Sequence, residues 1–230
     1  MIPIMVVAHQ DRCVMAEKLA AQVGALIWWD DGSHPGDHKA GCANTHIGAL
    51  ASVCGSRYAD DAGWVCILED DAVPVIGFRE HLDAALSAAS AGVVGLYLGT
   101  GNPVGETQQK IRTAVNTART ENKAWLAANC LIGSVGYAVR AELMDGMIEY
   151  IDGRDEELPM RISRWAQAHD VAICYTMPSL VDHDDVESIG RPWRGPHYHG
   201  RKAWWFGARE SWDTGSVALG HCLVWSGPEE

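Results

Sequence analysis

The chain has 230 residues, 47% of them hydrophobic, enough for one sizeable core or two small domains. Its formal net charge of −12 argues against a broad electrostatic grip on DNA or RNA and against lying flat on an anionic membrane. A small local basic patch stays compatible with that balance.

In chain order, Ile2–Ala8 reads as a strand. A helix over Asp11–Val23 follows, with Val14, Met15, Leu19 and Val23 near one face and Gly24 as its stop. Ala25–Trp29 is a second strand, ended by the turn-rich DDGSHPGD. His38–Tyr58 is mostly helix-compatible, with Ile47, Leu50, Val53 and Cys54 as its stripe. Residues 64–68 form a third strand, Phe78–Ala89 a helix with Leu82, Ala85, Leu86 and Ala89 inward, and Val93–Leu98 a fourth strand. Alternating strands and amphipathic helices predict an α/β fold with a Rossmann-like, mostly parallel central sheet and helices on both faces. The polar stretch 99–123 reads as a long loop with a short helix, beyond the usual connection length. Leu131–Val139 is strand-like, Glu142–Ile151 and Glu156–Ala168 are helices, and Val171–Tyr175 is a last strand. The remainder shows no clear periodicity, and the chain contains no internal repeat.

No apolar run approaches the ~20 residues needed to span a bilayer. The opening MIPIMVVAHQDR lacks the basic start of a signal peptide. Seven cysteines include no CxxC pair; Cys13, Cys54, Cys66, Cys130 and Cys174 lie in apolar or helical surroundings, as free thiols of a reducing cytosol do. A cytoplasmic location, as a monomer or small homo-oligomer, is expected. Ten tryptophans outnumber two phenylalanines, so Trp28, Trp29 and Trp193 in loops are candidates for stacking on a flat ligand or sugar face.

The most informative string is WVCILEDDAVP, residues 64–74, in which an apolar strand ends on Glu69, Asp70 and Asp71. Parallel sheets bind ligands at the carboxyl ends of their strands. In an extended strand end side chains alternate, so Glu69 and Asp71 are expected to point one way and Asp70 the other. Two carboxylates on one side suit Mg²⁺ or Mn²⁺, which take oxygen ligands and keep positions open for phosphate oxygens. Capping of the turn before Pro74 accounts for one of the acids. The phosphate fingerprints GxGxxG and GxxxxGK[ST] are absent.

HKAGCANTHIGALASV, followed about ten residues later by WVCILEDDAVP, resembles the paired blocks of glycosyltransferase family 25, which includes lipopolysaccharide sugar transferases and collagen galactosyltransferases. That family carries a helix resembling G-x-x-G-C-x-x-S-H and then a strand ending in LEDD. Here Gly41-Cys42 and Thr45-His46 match the first block, with threonine for serine, and Ile67–Ala72 the second. Gly136–Arg140 and MPSLVDHDDVESIG resemble later blocks, so the likeness covers about residues 1–190. It implies a GT-A-like fold and an inverting, metal-dependent transfer of a hexose from a nucleotide sugar, UDP-linked, to an acceptor hydroxyl. Residues 1–98 would be the donor-binding half, 99–190 the acceptor-binding and catalytic half of the same domain, and 191–230 a C-terminal lid or tail.

Carried over residue by residue, the resemblance makes Glu69 and Asp71 the ligands of a Mn²⁺ or Mg²⁺ ion that bridges the donor diphosphate, and sets Asp70 near the ribose or sugar. His9 and Arg12 would meet the base and ribose, and Asp30 and Asp31 the nucleoside. His46 would steady a sugar or phosphate; it reads equally as a core histidine. Arg12 stands at a helix start, where positive charge is unfavourable, which favours a ligand contact. Asp155, Glu156 and Glu157 precede the late helix; such acids stabilise a helix start, and one of them is also the expected general base. His183, in VDHDD, is expected to complete the metal shell or touch phosphate. Arg191, Arg194, Arg201 and Lys202, with His197 and His199, form the one locally basic stretch, fit for a lid over the diphosphate, an anionic acceptor, or a solvated tail. The acceptor is left open among a glycan, a protein side chain, a small molecule and a modified DNA base. A metal-dependent nucleotidyltransferase or phosphohydrolase, and a non-catalytic sugar-binding or assembly module, are the rival functions.

Overall fold

The computed structural model describes residues 1–101, 105–186, 189 and 200–219. In chain order the elements are β1 (Ile4–Ala8), α1 (Cys13–Val23), β2 (Leu26–Trp29), α2 (His38–Val53), α3 (Arg57–Ala62), β3 (Trp64–Glu69), β4 (Ala72–Pro74), α4 (Phe78–Ala88) and β5 (Val93–Gly95). Then come α5 (Glu106–Thr120), β6 (Trp125–Ala128), β7 (Gly136–Arg140), α6 (Met144–Ile151), α7 (Leu158–Ala168), β8 (Ile173–Thr176), β9 (Val181–His183) and β10 (Ser216–Ala218).

Eight strands form one sheet in the order β10-β6-β8-β5-β7-β3-β1-β2. Of its seven pairings, β1–β2, β1–β3, β5–β8 and β6–β10 are parallel. β7 runs antiparallel between β3 and β5, and β6 runs antiparallel to β8. The sheet is therefore mixed, parallel over its β2-β1-β3 side. β1 and the first five residues of β3 are buried, because apolar residues line both faces. Met5 and Val7 point into a core with Leu50 of α2, Ile111 of α5, Met144 of α6 and Ile162 of α7. Ile4, Val6 and Ala8 point the other way, against Leu19 and Val23 of α1 and Phe78 and Leu82 of α4. Helices thus cover both faces, as expected.

Four local expectations change. The segment 99–123 contains a fifteen-residue helix, α5, whose buried Ile111, Ala114, Val115 and Ala118 keep helical spacing with small side chains. The inward face of α1 is Ala16, Leu19, Ala20 and Val23, while Val14 is exposed. α2 buries Gly41, Ala43, Thr45, His46, Ala49 and Leu50 instead of a purely apolar stripe, and Cys54 already lies beyond its end. Within residues 200–219, expected in a lid or tail, Ser216–Ala218 join the sheet as β10 beside β6, Trp204 N–H bonds Leu98 O, and Trp125 Nε1 donates to Trp212 O at 2.9 Å. Among the described residues no helix is long and apolar enough to cross a membrane.

Gly95 shows how closely the sheet is packed. A Cβ there would overlap Cδ1 and Cε1 of Tyr175. That ring cannot turn away, since it is fully buried and its hydroxyl accepts from Ile132 N at 2.6 Å and donates to Cys130 O at 2.9 Å. Gly95→Ala is expected to lower stability by about 1–3 kcal/mol, the usual cost of overpacking, read from urea unfolding.

Candidate active site

β1 and β3 lie side by side with Val7 opposite Glu69, so the segments leaving their carboxyl ends start together. After β1 the chain makes a 3-10 turn, Gln10–Arg12; after β3 it makes the two-residue turn Asp70-Asp71 before β4. The strand ends at Glu69, so strand alternation stops there. Asp70 and Asp71 in fact share a partner: Arg12 Nη1 donates to Asp70 Oδ1 at 2.8 Å and to Asp71 Oδ2 at 2.6 Å. His9 N–H donates to Asp70 Oδ2 at 3.0 Å. The side chains are 13%, 8% and 7% exposed for Arg12, Asp70 and Asp71, so this is an ion triad shielded from water. Burial pushes the Asp70 carboxyl up from its ordinary value, and the His9 N–H and Arg12 offset this only in part. Burial works against the Arg12 charge, but Asp71 and Asp70 outweigh it and hold the guanidinium above its ordinary value. The positive charge at the start of α1 is thus matched by two carboxylates.

A second tie comes from the far end of the chain. β4 and β9 form a two-stranded antiparallel sheet with Ala72 opposite His183. It brings His183 Nε2 to 3.4 Å from Asp71 Oδ2. His183 Nδ1 accepts from Asp185 N–H at 2.7 Å, which leaves the ring proton on Nε2, facing the carboxylate. In this arrangement the Nε2 side of His183 faces Asp71 at a charge-pair distance, and Nδ1 is taken up by Asp185 N–H. Asp71 Oδ1 is buried with no hydrogen-bond partner.

Glu69 faces a different group. Ser134 Oγ donates to Glu69 Oε1 at 2.5 Å, and His46 Nε2 lies 3.5 Å from the same oxygen. His46 is 1% exposed, its Nδ1 is 3.2 Å from Tyr137 OH, and its Nε2 has no hydrogen-bond partner. Burial pushes Glu69 up, but His46 and Ser134 outweigh it and hold the carboxyl below the usual range. One turn before His46 on α2 stands Cys42. Among the described residues, the His/Cys/Asp/Glu group whose ligand atoms all lie within 4.8 Å of one another is Cys42, His46 and Glu69. The expected trio of Glu69, Asp71 and His183 is not gathered in that way: Glu69 turns to His46 and Ser134, while Asp71 turns to Arg12 and His183.

The other expected residues are spread around this edge. Asp30 N–H bonds Ala8 O at the end of β1, and its Oδ1 accepts from Gly32 N–H at 2.9 Å. Asp31 is exposed and caps its own turn through Ser33, whose hydrogen bonds lower its carboxyl. Asp155 is 93% exposed and pairs at 2.6 Å with Lys39 on the first turn of α2; that bond lowers its carboxyl. Glu156 pairs with Arg164 at 3.0 Å, and Glu157 holds the position before α7. These contacts tie the late acids to α2 and α7 rather than to the carboxylate turn. Trp28 packs its indole over Gly48 of α2. Arg191, Arg194, Trp193, His197 and His199 lie outside the described residues. Arg201 and Lys202 are described: Arg201 bonds Asp185 and Lys202 pairs with Asp182, so both brace the strand that carries His183. Sequence reasoning missed Ser134 and Tyr137. Their small-residue context, SVGY, gives no local signal; the antiparallel β3–β7 pairing brings them to Glu69.

No family model matches the chain, and no curated protein matches it. Among solved structures, a mutant of the Drosophila β1,4-galactosyltransferase 7, in complex with manganese, UDP-Gal and xylobiose, aligns at 12% identity over 84% of this chain and 74% of that one, with a TM-score of 0.44. The bifunctional glycosyltransferase WbbM aligns at 8% identity over 70% of this chain, with a TM-score of 0.37. The chain spans 36% of the WbbM chain.

Proposed function

We propose that this chain is a GT-A-like glycosyltransferase that moves a hexose from a UDP-linked donor to an acceptor hydroxyl with inversion. The supporting observation is the acidic turn Asp70-Asp71 at the carboxyl ends of β1 and β3, where Asp71 Oδ1 is buried yet unpartnered. A buried carboxylate oxygen without a donor is costly, and a hard cation satisfies it. Asp71 fits Mn²⁺ or Mg²⁺ by donor chemistry, so this carboxylate is taken to be the ion's protein ligand, while Glu69, turned to His46 and Ser134, is not. When bound, such an ion supplies Lewis-acid neutralisation of the departing diphosphate. Arg12 holds the acidic turn in place and adds positive charge beside it. His183 stands beside Asp71, with Nε2 3.4 Å from Oδ2. Asp70, through the His9 N–H, locks the segment after β1, and Asp30, just past β2, bonds Ala8 O at the end of β1, on the side taken to receive the nucleoside. The base for the acceptor hydroxyl is sought among Asp155, Glu156 and Glu157; Asp155, already ionised beside Lys39, is the one next to α2. On this reading residues 1–98 bind the donor, and 99–190 supply the acceptor side.

A panel of nucleotide sugars with Mn²⁺ or Mg²⁺ tests this. Release of UDP from one hexose donor, dependent on the ion, is expected. Pyrophosphate or nucleoside monophosphate as product would point instead to nucleotidyl transfer or phosphohydrolysis. Release from no donor would leave only a binding module.

A further inference from the structure

We propose that Cys42, His46 and Glu69 form a binding site for a borderline-soft divalent cation, Zn²⁺ by ligand chemistry, with one coordination position open to solvent or a ligand oxygen. The inference goes beyond sugar transfer, because the ion is held without nucleotide.

Three features carry it. The residue types are a thiol, an imidazole and a carboxylate, a set that suits zinc and is foreign to Mg²⁺. Cys42 and His46 are four apart on α2 and so share one of its faces, and their ligand atoms lie within 4.8 Å of each other and of a Glu69 oxygen. For the His46–Glu69 pair the spacing is that of ligands around an ion rather than of a hydrogen bond. His46 Nε2 and Glu69 Oε1 are 3.5 Å apart, beyond the ordinary N–H···O range. Zinc bonds of ~2.0–2.1 Å to nitrogen and oxygen, opened to a tetrahedral angle, place the two ligand atoms about 3.4 Å apart.

The surroundings complete the site. Metal-bound histidines commonly donate their second ring N–H to a fixed partner, and ligating carboxylates are themselves hydrogen-bonded. Tyr137 OH stands 3.2 Å from His46 Nδ1, and the two rings stack at 5.8 Å. His46 Nε2 faces the gap with no hydrogen-bond partner although His46 is 1% exposed; with the ring proton on Nδ1, toward Tyr137, Nε2 would offer its lone pair to an ion there. Ser134 Oγ holds Glu69 at 2.5 Å. Cys42 is exposed, which gives the ion a way in from solvent; it loses its thiol proton to water on binding. By contrast Cys66 and Cys130 are enclosed in the core, and burial pushes the Cys174 thiol up to about 12.

The test uses metal-stripped, full-length protein without nucleotide, titrated with Co²⁺ and then with Zn²⁺ in competition. Expected are a near-ultraviolet thiolate-to-cobalt charge-transfer band, visible bands of tetrahedral cobalt, and their displacement by Zn²⁺. Cys42→Ser, at an exposed position, should abolish the charge-transfer band. Tyr137→Phe should keep the band but weaken Zn²⁺ binding ~10–100-fold. Asp71→Asn should leave both unchanged, which separates this site from the proposed donor ion. Octahedral cobalt without a thiolate band, or Zn²⁺ binding by Cys42→Ser equal to that of the parent, overturns the proposal. Absence of donor-dependent UDP release would overturn the transferase reading and leave this ion site standing.

Discussion

Replacing Arg12 with methionine is expected to lower the unfolding free energy by about 3–5 kcal/mol at neutral pH. Methionine keeps most of the stem's packing, so the loss reports the charge. Asp70 and Asp71 would then face each other, both under a tenth exposed, with no cation between them. Acidity should shrink the deficit. Burial already holds the Asp70 carboxyl above its unfolded value, so its ionisation costs stability as pH rises through the folded value. Without Arg12 that value rises further. Below the unfolded carboxyl range the Asp70 carboxyl is neutral in either protein, and this part of the difference vanishes. Urea unfolding at several pH values checks this. A deficit that stays constant from neutral to acid pH would show that Arg12 acts through packing alone.

Asp71→Asn should separate stability from turnover. It removes a like charge beside Asp70 while keeping the shape of the side chain, and Asp70 keeps Arg12. The melting temperature should hold or rise. Ion-dependent donor cleavage should fall about a hundredfold or more, since several kcal/mol of charge stabilisation rests on that carboxylate and each 1.36 kcal/mol is tenfold in rate. A stabilised but inactive variant is the usual mark of a site that holds unfavourable charge for function. Full UDP release by Asp71→Asn would remove the acidic turn from the mechanism.

The strand–helix alternation was legible because amphipathic periods are local. The acidic turn was legible too, since three adjacent acids after an apolar strand have few structural reasons to exist. The sidedness of those acids was not: alternation holds only within a strand, and β3 ends at Glu69. α5 is hidden in a polar stretch because its buried face uses alanine and valine, with one isoleucine. β9 and β10 are three residues long, too short to show a period. The partners of Glu69 lie far along the chain, Ser134 by 65 residues, and only strand pairing brings them in. Cys42 and His46 carried a local cue, four apart on one helix, but their third ligand had to come from the fold.

The small β4–β9 pairing has a practical result. It stitches the loop that bears Asp71 to a segment more than a hundred positions downstream, and Asp184 N–H adds a bond to Asp71 O at 2.9 Å. A fragment ending before Val181 would keep every carboxylate of the turn yet lose the splint that sets their direction. Dividing the gene at its apparent midpoint to isolate a nucleotide-binding piece is therefore a poor strategy; co-expressed halves that reassemble are the better route.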